Sequence, residues 1–264
     1  MPNWFDEGGQ DYARYRPTYP PALASWLAEQ CQQHRLALDV GCGNGQLTSL
    51  LSPYFTQVLG LDPSSAQLAQ TTSAHNLQYQ CAPAEQLPLP DASVDLLCAA
   101  QAAHWFDLEA FYREARRVCA PGAVLALVSY GVLEIGDSLT AASGADTTNN
   151  SAALNARLLQ FYHQEIGRWW PAERQLVDSG YATLPFPFAE LTPAKLAICR
   201  ELDCAQLLGY IGTWSALRQA RSHGQEAWLD ATLQQFGRDM LQLWGDGPRS
   251  IVWPIAMRVG RVHA

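Results

Sequence analysis

The segment that most constrains this chain is a glycine-rich loop, LDVGCGNG, at residues 38–45. The apolar run 36–40 predicts a strand that leads into the loop, and residues 46–51 follow it with helical spacing. Glycines at alternating positions let the backbone turn tightly and let a ligand approach it closely. Open α/β sheets bind ligands beyond the carboxyl ends of their strands. The loop therefore predicts a ligand site at one edge of a parallel sheet.

Short apolar runs alternate with helical patterns through the first half of the chain. The predicted strands are residues 36–40, 57–61, 77–81, 94–100 and 123–128. Helical spacing covers residues 46–51, 65–71 and 108–118. Strands that are apolar on both faces, each followed by a helix, predict a mostly parallel sheet covered on both sides. The expected fold class is α/β, a Rossmann-like doubly wound sheet.

The pattern changes after residue 130. Helical patterns occupy residues 152–168, 193–220 and 225–244, while the small polar residues 137–151 predict a loop. Residues 251–262 predict a final strand, and Pro254 favours placing it at an edge. We expect one domain, 1–264, with a ligand-binding core at 36–130, a mostly helical cap and substrate region at 131–250, and the final strand at 251–262.

Composition narrows the choice of partners. The formal net charge is −8, and Lys195 is the one lysine among 17 basic residues. Such a chain lacks the cationic surface that attracts nucleic acids or anionic membranes, so a small or neutral partner is expected. The seven cysteines form no C-x-x-C pair, which predicts reduced thiols in a cytoplasmic protein and no metal site. The acidic N-terminus predicts no signal peptide, and no apolar run is long enough to predict a membrane span. The sequence does not decide between a monomer and a homodimer.

The residues around the loop narrow the ligand. Asp62 lies 21 residues beyond Gly41 at the end of the second predicted strand, where an acidic side chain can accept hydrogen bonds from a ribose. The spacing is G-x-G-x-G, which disfavours an NAD-type oxidoreductase, and no Lys-Ser/Thr follows as in a P-loop. Asp39 stands before the first glycine with no basic residue nearby. The loop thus suits a cationic, phosphate-free nucleoside such as S-adenosylmethionine.

Four successive motifs resemble those of class I S-adenosylmethionine-dependent methyltransferases: LDVGCGNG, GLDPS, AEQLP at residues 84–88 and VDL at residues 94–96. Flanking segments resemble the small-molecule branch of methyltransferase type 11 that includes trans-aconitate-methyltransferase-like proteins. These segments are YRPTYP at 15–20, AQAAHWFD at 100–107, GYIGTWSA at 209–216 and WPIAMRVGR at 253–261. The resemblance implies transfer of a methyl group from S-adenosylmethionine, with S-adenosylhomocysteine as product.

The resemblance also implies which residues bind the cofactor. The loop would surround its methionine part, Asp62 would bind the ribose, and Pro63 would pack by the adenine. Ala84 and Glu85 would meet the adenine edge, and Gln101 would lie beside the sulfonium. Tyr15 and Arg16 would close over the carboxylate. The expected cofactor-binding residues are Tyr15, Arg16, Asp39, Gly41, Cys42, Gly43, Gly45, Asp62, Pro63, Ala84, Glu85 and Gln101.

Methyl transfer is an in-line displacement for which the protein supplies alignment and a dry pocket. A base is needed where the acceptor must lose a proton, as an amine or phenol does, and a carboxylate needs none. His104 is the candidate catalytic residue, as base or hydrogen-bond donor, against a purely structural role. The candidate substrate pocket comprises His104, Trp105, Trp169, Trp170 and Trp214, whose tryptophans could instead fill the core.

The sequence therefore predicts an enzyme that methylates the oxygen, nitrogen or carboxylate of a small molecule. The alternative is a non-catalytic protein that binds S-adenosylmethionine or S-adenosylhomocysteine and regulates a partner.

Overall fold

The computed structural model describes residues 16–72, 74–138 and 150–263, and within them one nine-stranded sheet organises the chain. The strands are β1 Leu36–Val40, β2 Gln57–Asp62, β3 Leu77–Cys81, β4 Val94–Ala100, β5 Cys119–Tyr130, β6 Glu134–Ser138, β7 Ala189–Glu190, β8 Leu196–Leu202 and β9 Arg249–Arg261. The helices are α1 Pro21–Glu29, α2 Gln46–Leu51, α3 Ser65–Leu68, α4 Leu108–Val118, α5 Ser151–Gln160, α6 Arg174–Asp178, α7 Cys204–Gly212, α8 Ser215–Ser222 and α9 Glu226–Trp244.

The first five strands run parallel in the order β3-β2-β1-β4-β5, which confirms the predicted α/β fold class. The order reverses between β1 and β4. Ligands of doubly wound sheets bind at this switch point, beyond the carboxyl ends of the strands. The fold therefore brings the ends of β1, β2 and β4 together, directly beside the glycine loop.

Both faces of the sheet are covered, and β5 shows why the sequence predicted this. Val124 and Val128 belong to a core cluster with α1, α2 and the helices of the cap, residues 131–250. Leu125 and Leu127 belong to a second cluster with α4 on the other face. Because successive strand residues point to opposite faces, an apolar run of this kind fits a strand that is buried on both sides.

The last strand lies inside the sheet, so the expectation of an edge position was wrong. Ile255 in β9 pairs with Tyr130 of β5 and also with Leu196 of β8, so these two strands flank β9 on opposite sides. Pairing with β5 begins at Ile255, and pairing with β6 ends at Val252. Pro254 stands in this gap, where one neighbouring ladder is interrupted and a missing N–H is tolerated.

The cap is less helical than its pattern predicts. Residues 196–202 form strand β8 rather than the start of a helix, because β9 supplies a partner edge that local spacing cannot reveal. The expected helix over residues 152–168 is α5 followed by a π-helical turn, Phe161–Glu165, and a 3₁₀ turn, Gly167–Trp169. In the part of the chain that the structure describes, no helix is long and apolar enough to cross a membrane.

Candidate functional site

The glycine loop leaves β1 in a conformation that requires its glycines. Gly41, Gly43 and Gly45 have φ values of +70°, +55° and +81°, which side chains rarely adopt. A Cβ on Gly41 would lie 2.5 Å from Cβ of Ala102, and one on Gly45 would lie 2.6 Å from the hydroxyl of Tyr79. The alternating glycines thus allow both the turn and its close contact with neighbouring elements.

Asp62, the last residue of β2, fastens this loop to the neighbouring strand. Its Oδ2 accepts a hydrogen bond from the backbone N–H of Gly43 at 2.9 Å, and its Oδ1 accepts one from Ser64 at 2.8 Å. Burial raises the pKa of Asp62, while these two backbone hydrogen bonds act against that rise. A carboxylate has further lone pairs, so Asp62 could also accept a ligand hydroxyl.

Asp39 places a buried carboxylate under the loop. It is 1% exposed, and its Oδ2 accepts the hydroxyl proton of Thr48 at 2.7 Å. Its Oδ1 is buried and has no hydrogen-bond partner among the residues that the structure describes. Burial raises the pKa of Asp39 from 3.8 to about 6. Burying a carboxylate oxygen without a hydrogen-bond partner is unfavourable in free energy, so a cationic donor on a ligand would stabilise this oxygen.

Gln101 follows β4 with a backbone that a non-glycine residue seldom adopts. Its φ is +54°, and its N–H donates to Val128. Its side-chain Nε2 donates to the carbonyl oxygen of Tyr130 at 2.7 Å, which ties the ends of β4 and β5 together. Such conformations cost about 1–3 kcal/mol and concentrate at functional sites. The strained backbone therefore marks this strand end as a candidate site.

These groups surround one cavity, which we call the glycine-loop cavity. Among the predicted site residues, its walls include Arg16, Asp39, Gly41, Cys42, Gly43, Asp62, Pro63, Gln101 and Trp105. The sequence analysis did not assign the remaining wall residues, which are Tyr19, Asn44, Gln46, Leu47, Ser64, Gln67, Ala100, Ala102, Phe106 and Tyr130. The structure thus brings together residues from the glycine loop, from both neighbouring strand ends and from the first described turn of the chain.

Three expected cofactor residues lie off the cavity wall. Gly45 is the left-handed residue that begins α2, and Ala84 is buried beside the end of β3. Glu85 accepts a hydrogen bond from the backbone N–H of Asp107, at the start of α4, at 3.0 Å. Tyr15 lies outside the described residues.

Arg16 joins the cavity wall to the cap. Its Nη2 donates to the carbonyl oxygen of Thr213 at 3.3 Å, and its guanidinium lies over the ring of Tyr210 with 5.6 Å to the centroid. Thr213 separates α7 from α8. The first described residue of the chain therefore contacts both the cavity and the helix break where the sequence placed a possible pocket.

The three cap tryptophans pack against other aromatic rings and are not on the cavity wall. Trp214 is 4% exposed and lies 5.5 Å from Trp170, centroid to centroid. Trp170 also donates its Nε1–H to the carbonyl oxygen of Tyr162. Trp169 lies 6.2 Å from Trp228 and carries Arg168 over its ring. Trp214 is part of the hydrophobic core, and the partly buried Trp169 and Trp170 pack against that core.

His104 lies in the 3₁₀ turn Ala103–Trp105, between two wall residues of the cavity, but is not itself on the wall. Its Nδ1 is 2.9 Å from the hydroxyl of Tyr181, and its ring lies 4.9 Å from that of Trp105. Burial, aided by the positive charge of Arg174, lowers the pKa of His104 to about 3. The imidazole is therefore neutral at physiological pH.

Some wall residues carried a local signal in the sequence. The Ser64 hydroxyl accepts a hydrogen bond from the backbone N–H of Gln67 and so caps the N-terminus of α3. A serine at this position, directly after Asp62 and Pro63, is a local signal by which Ser64 could have been predicted as a site residue. Tyr19 and Tyr130 meet edge to face, 6.0 Å apart, although 111 residues separate them. No local pattern reports such a contact, because only the sheet brings the two segments together.

The walls fit a cationic nucleoside better than a phosphate. In residues 16–72, 74–138 and 150–263, Arg16 is the one Lys or Arg on the wall, against the carboxylates of Asp39 and Asp62. The Oδ1 of Asp39, which has no partner among the described residues, could accept a hydrogen bond from the ammonium of S-adenosylmethionine, and Asp62 could accept one from a ribose hydroxyl. No group of three His, Cys, Asp or Glu side chains within those ranges is placed to hold a metal ion.

Comparisons with known proteins identify the family. The methyltransferase domain family matches residues 38–127. A Dictyostelium discoideum protein named as a methyltransferase is 33% identical over 213 residues, which cover 80% of this chain and 76% of that protein. A protein of Saccharomyces cerevisiae named as an S-adenosylmethionine-dependent methyltransferase is 35% identical over 112 residues, which cover 39% of this chain and 38% of that protein.

A solved structure gives a match over nearly the whole chain. It is described as a type II methyltransferase from Anaeromyxobacter dehalogenans, with 40% sequence identity and a TM-score of 0.81. The match covers 94% of this chain and 99% of that one. The four sequence motifs, from the glycine loop to residues 94–96, resemble those of the same family. This chain belongs to the class I S-adenosylmethionine-dependent methyltransferases.

Proposed function

We propose that this methyltransferase acts on a small molecule, whose oxygen, nitrogen or carboxylate attacks the methyl carbon in line. The observation that carries the proposal is the glycine-loop cavity at the switch point of the sheet, where a buried carboxylate oxygen of Asp39 has no hydrogen-bond partner among the described residues. When bound there, S-adenosylmethionine supplies a methyl carbon activated by its positive sulfur. The chain itself contributes orientation and the exclusion of water.

In the proposed arrangement, Asp39 accepts the ammonium of the cofactor and Asp62 accepts a ribose hydroxyl. Gly41, Cys42 and Gly43 let the backbone approach the methionine part. Pro63 would pack by the adenine, Ala84 and Glu85 would meet the adenine edge, and Gln101 would lie near the sulfonium. The residues proposed to hold the cofactor are Tyr15, Arg16, Asp39, Gly41, Cys42, Gly43, Gly45, Asp62, Pro63, Ala84, Glu85 and Gln101.

Support for a small acceptor comes from the composition of the cavity wall. Tyr19, Trp105 and Tyr130 give this wall aromatic side chains, and Arg16 links the wall to the cap. A net charge of −8 opposes association with nucleic acid. We place the enzyme in the cytoplasm, because all seven cysteines are free thiols.

The test combines calorimetry with a product assay on the full chain. Titration with S-adenosylmethionine should give a dissociation constant on the order of micromolar. Release of S-adenosylhomocysteine should then be measured with panels of small carboxylic acids, phenols and amines, and with tRNA and a protein extract. Turnover with members of the small-molecule panels supports the proposal. Turnover with the macromolecules alone, while the cofactor still binds, contradicts the acceptor class and leaves the family assignment intact.

A further inference from the structure

Tyr181 lies 77 residues after His104, and its hydroxyl contacts the His104 ring. The tyrosine is fully buried, and its φ of +63° follows a φ of +62° at Gly180. These two successive left-handed residues form a turn after the end of α6, in which the N–H of Tyr181 donates to the carbonyl oxygen of Leu176. This unfavourable backbone is the kind that persists where a side chain must be held in place.

The acceptors available to the Tyr181 hydroxyl decide which of the two side chains donates this hydrogen bond. Burial raises the pKa of Tyr181, so its hydroxyl keeps its proton. A tyrosine hydroxyl has one proton, and Nδ1 of His104 is 2.9 Å away. If Nδ1 carried the proton instead, the hydroxyl proton of this fully buried side chain would have no acceptor among the residues that the structure describes.

The second ring nitrogen of His104 is open. Within the described ranges Nε2 makes no hydrogen bond, and it is not sealed from solvent. The residues on either side of the turn, Ala102 and Trp105, line the glycine-loop cavity. Arg174 and Tyr181 are the titratable groups that act on the imidazole, and the positive charge of Arg174 disfavours a second ring proton.

We propose that Tyr181 is a positioning residue: its hydroxyl donates a hydrogen bond to Nδ1 and so holds His104 in the neutral tautomer that is protonated at Nε2. The consequence for the methyl acceptor rests on the proposed methyl transfer. In this form His104 offers the methyl acceptor a hydrogen-bond donor at the edge of the cavity. It has no free lone pair with which to remove a proton. The acceptor therefore arrives with its attacking atom already unprotonated and with an oxygen or nitrogen that can accept the Nε2 proton.

The test is a long-range ¹H–¹⁵N spectrum of the imidazole nitrogens in the ¹⁵N-labelled full chain, recorded from pH 5 to pH 8. His104→Asn assigns the signals by removing them. We expect Nδ1 of His104 to show the shift of an unprotonated, hydrogen-bonded nitrogen and Nε2 that of a protonated one, with neither changing over the range. In Tyr181→Phe the Nδ1 shift should move toward that of a free nitrogen, or the ring should exchange between tautomers.

Tyr112→Phe is the matched control, since this buried tyrosine donates to the carbonyl oxygen of Pro185 at 2.7 Å and does not contact His104. Its spectrum should keep the wild-type His104 signals. Protonated Nδ1 in the wild type, or titration of His104 within the range, overturns the proposal, even if Tyr181→Phe fails to fold. Cofactor binding is measured separately by calorimetry, so its failure would contradict the proposed function without deciding the tautomer.

Discussion

Replacing Asp39 by asparagine should weaken cofactor binding without lowering the stability of the free protein. The carboxylate is 1% exposed, with one oxygen held by Thr48 and the other without a partner in the described structure. Asparagine keeps the shape and the oxygen that accepts the Thr48 hydroxyl. It removes the charge that we propose to face the cofactor ammonium.

The stability effect follows from the raised pKa of Asp39, which is about 6 in the folded protein against 3.8 as the ordinary value. Because the folded-state pKa is the higher one, the unfolding free energy falls as pH rises from about 4 through about 6. The ionised carboxylate then costs the free protein roughly 3 kcal/mol at neutral pH. An unpaired asparagine NH₂ offsets part of that gain, by about 1–3 kcal/mol. Asp39→Asn should thus be as stable as the wild type at pH 7, or more stable.

The binding effect has the opposite sign. A hydrogen bond between charged groups contributes about 1.5–3 kcal/mol, so its loss should weaken S-adenosylmethionine binding by roughly 10- to 150-fold. Methylthioadenosine keeps the adenosine part and lacks the ammonium. Its affinity should therefore stay at the wild-type value in Asp39→Asn, while that of S-adenosylmethionine falls.

The assays are urea unfolding of the free protein and calorimetry with both ligands. Asp95→Asn is the control, because this carboxylate is also buried but pairs with Arg35 at 2.6 Å at the start of β4. Burial opposes ionisation of Asp95, but the hydrogen bonds from Arg35 outweigh burial and lower the pKa of Asp95. Asp95→Asn should therefore lose stability and keep its affinity for the cofactor. Equal losses of both ligands in Asp39→Asn, or unchanged binding of S-adenosylmethionine, would refute the reasoning.

Three further variants test other parts of the account. Asp62→Ala should weaken S-adenosylmethionine binding at least tenfold, or about 1.4 kcal/mol, by calorimetry, since it removes the carboxylate that we propose to accept a ribose hydroxyl, together with its hydrogen bonds from Gly43 in the loop and from Ser64 after β2; unchanged affinity places the ribose elsewhere. Gly45→Ala should lower the melting temperature, because its Cβ would lie 2.6 Å from the hydroxyl of Tyr79 at a φ of +81°, and wild-type stability would contradict this. Tyr162→Phe should lower the unfolding free energy in urea by about 1–3 kcal/mol, because the buried hydroxyl donates to Asp178, and no change would show that this contact adds nothing.

The parallel half of the fold could be predicted because its signals are local. Apolar runs of strand length, such as 94–100, alternate with helical patterns, and α4 matches its prediction at both ends. The strands of the cap could not be predicted in the same way. The short apolar positions of β8 fit a helix or a strand, and pairing with β9 some 50 residues later decides between them.

The same distinction applies to the site. The spacing of the glycines, Asp39 and Asp62 is a local pattern, and the structure places these residues around one cavity. The Tyr19–Tyr130 contact and the bond between Tyr181 and His104 each join distant segments, so their partners have no signature in the sequence. The glycine loop could therefore be located from the sequence, but the contacts that distant segments make at the cavity wall and at His104 could not.

The most direct measurement is a crystal structure of the full chain with S-adenosylhomocysteine. The account predicts the ligand in the glycine-loop cavity, with its amino nitrogen within hydrogen-bond distance of Oδ1 of Asp39 and a ribose hydroxyl on Asp62. Ligand density outside this cavity, or a reversed ligand with the adenine against Asp39, would contradict the account.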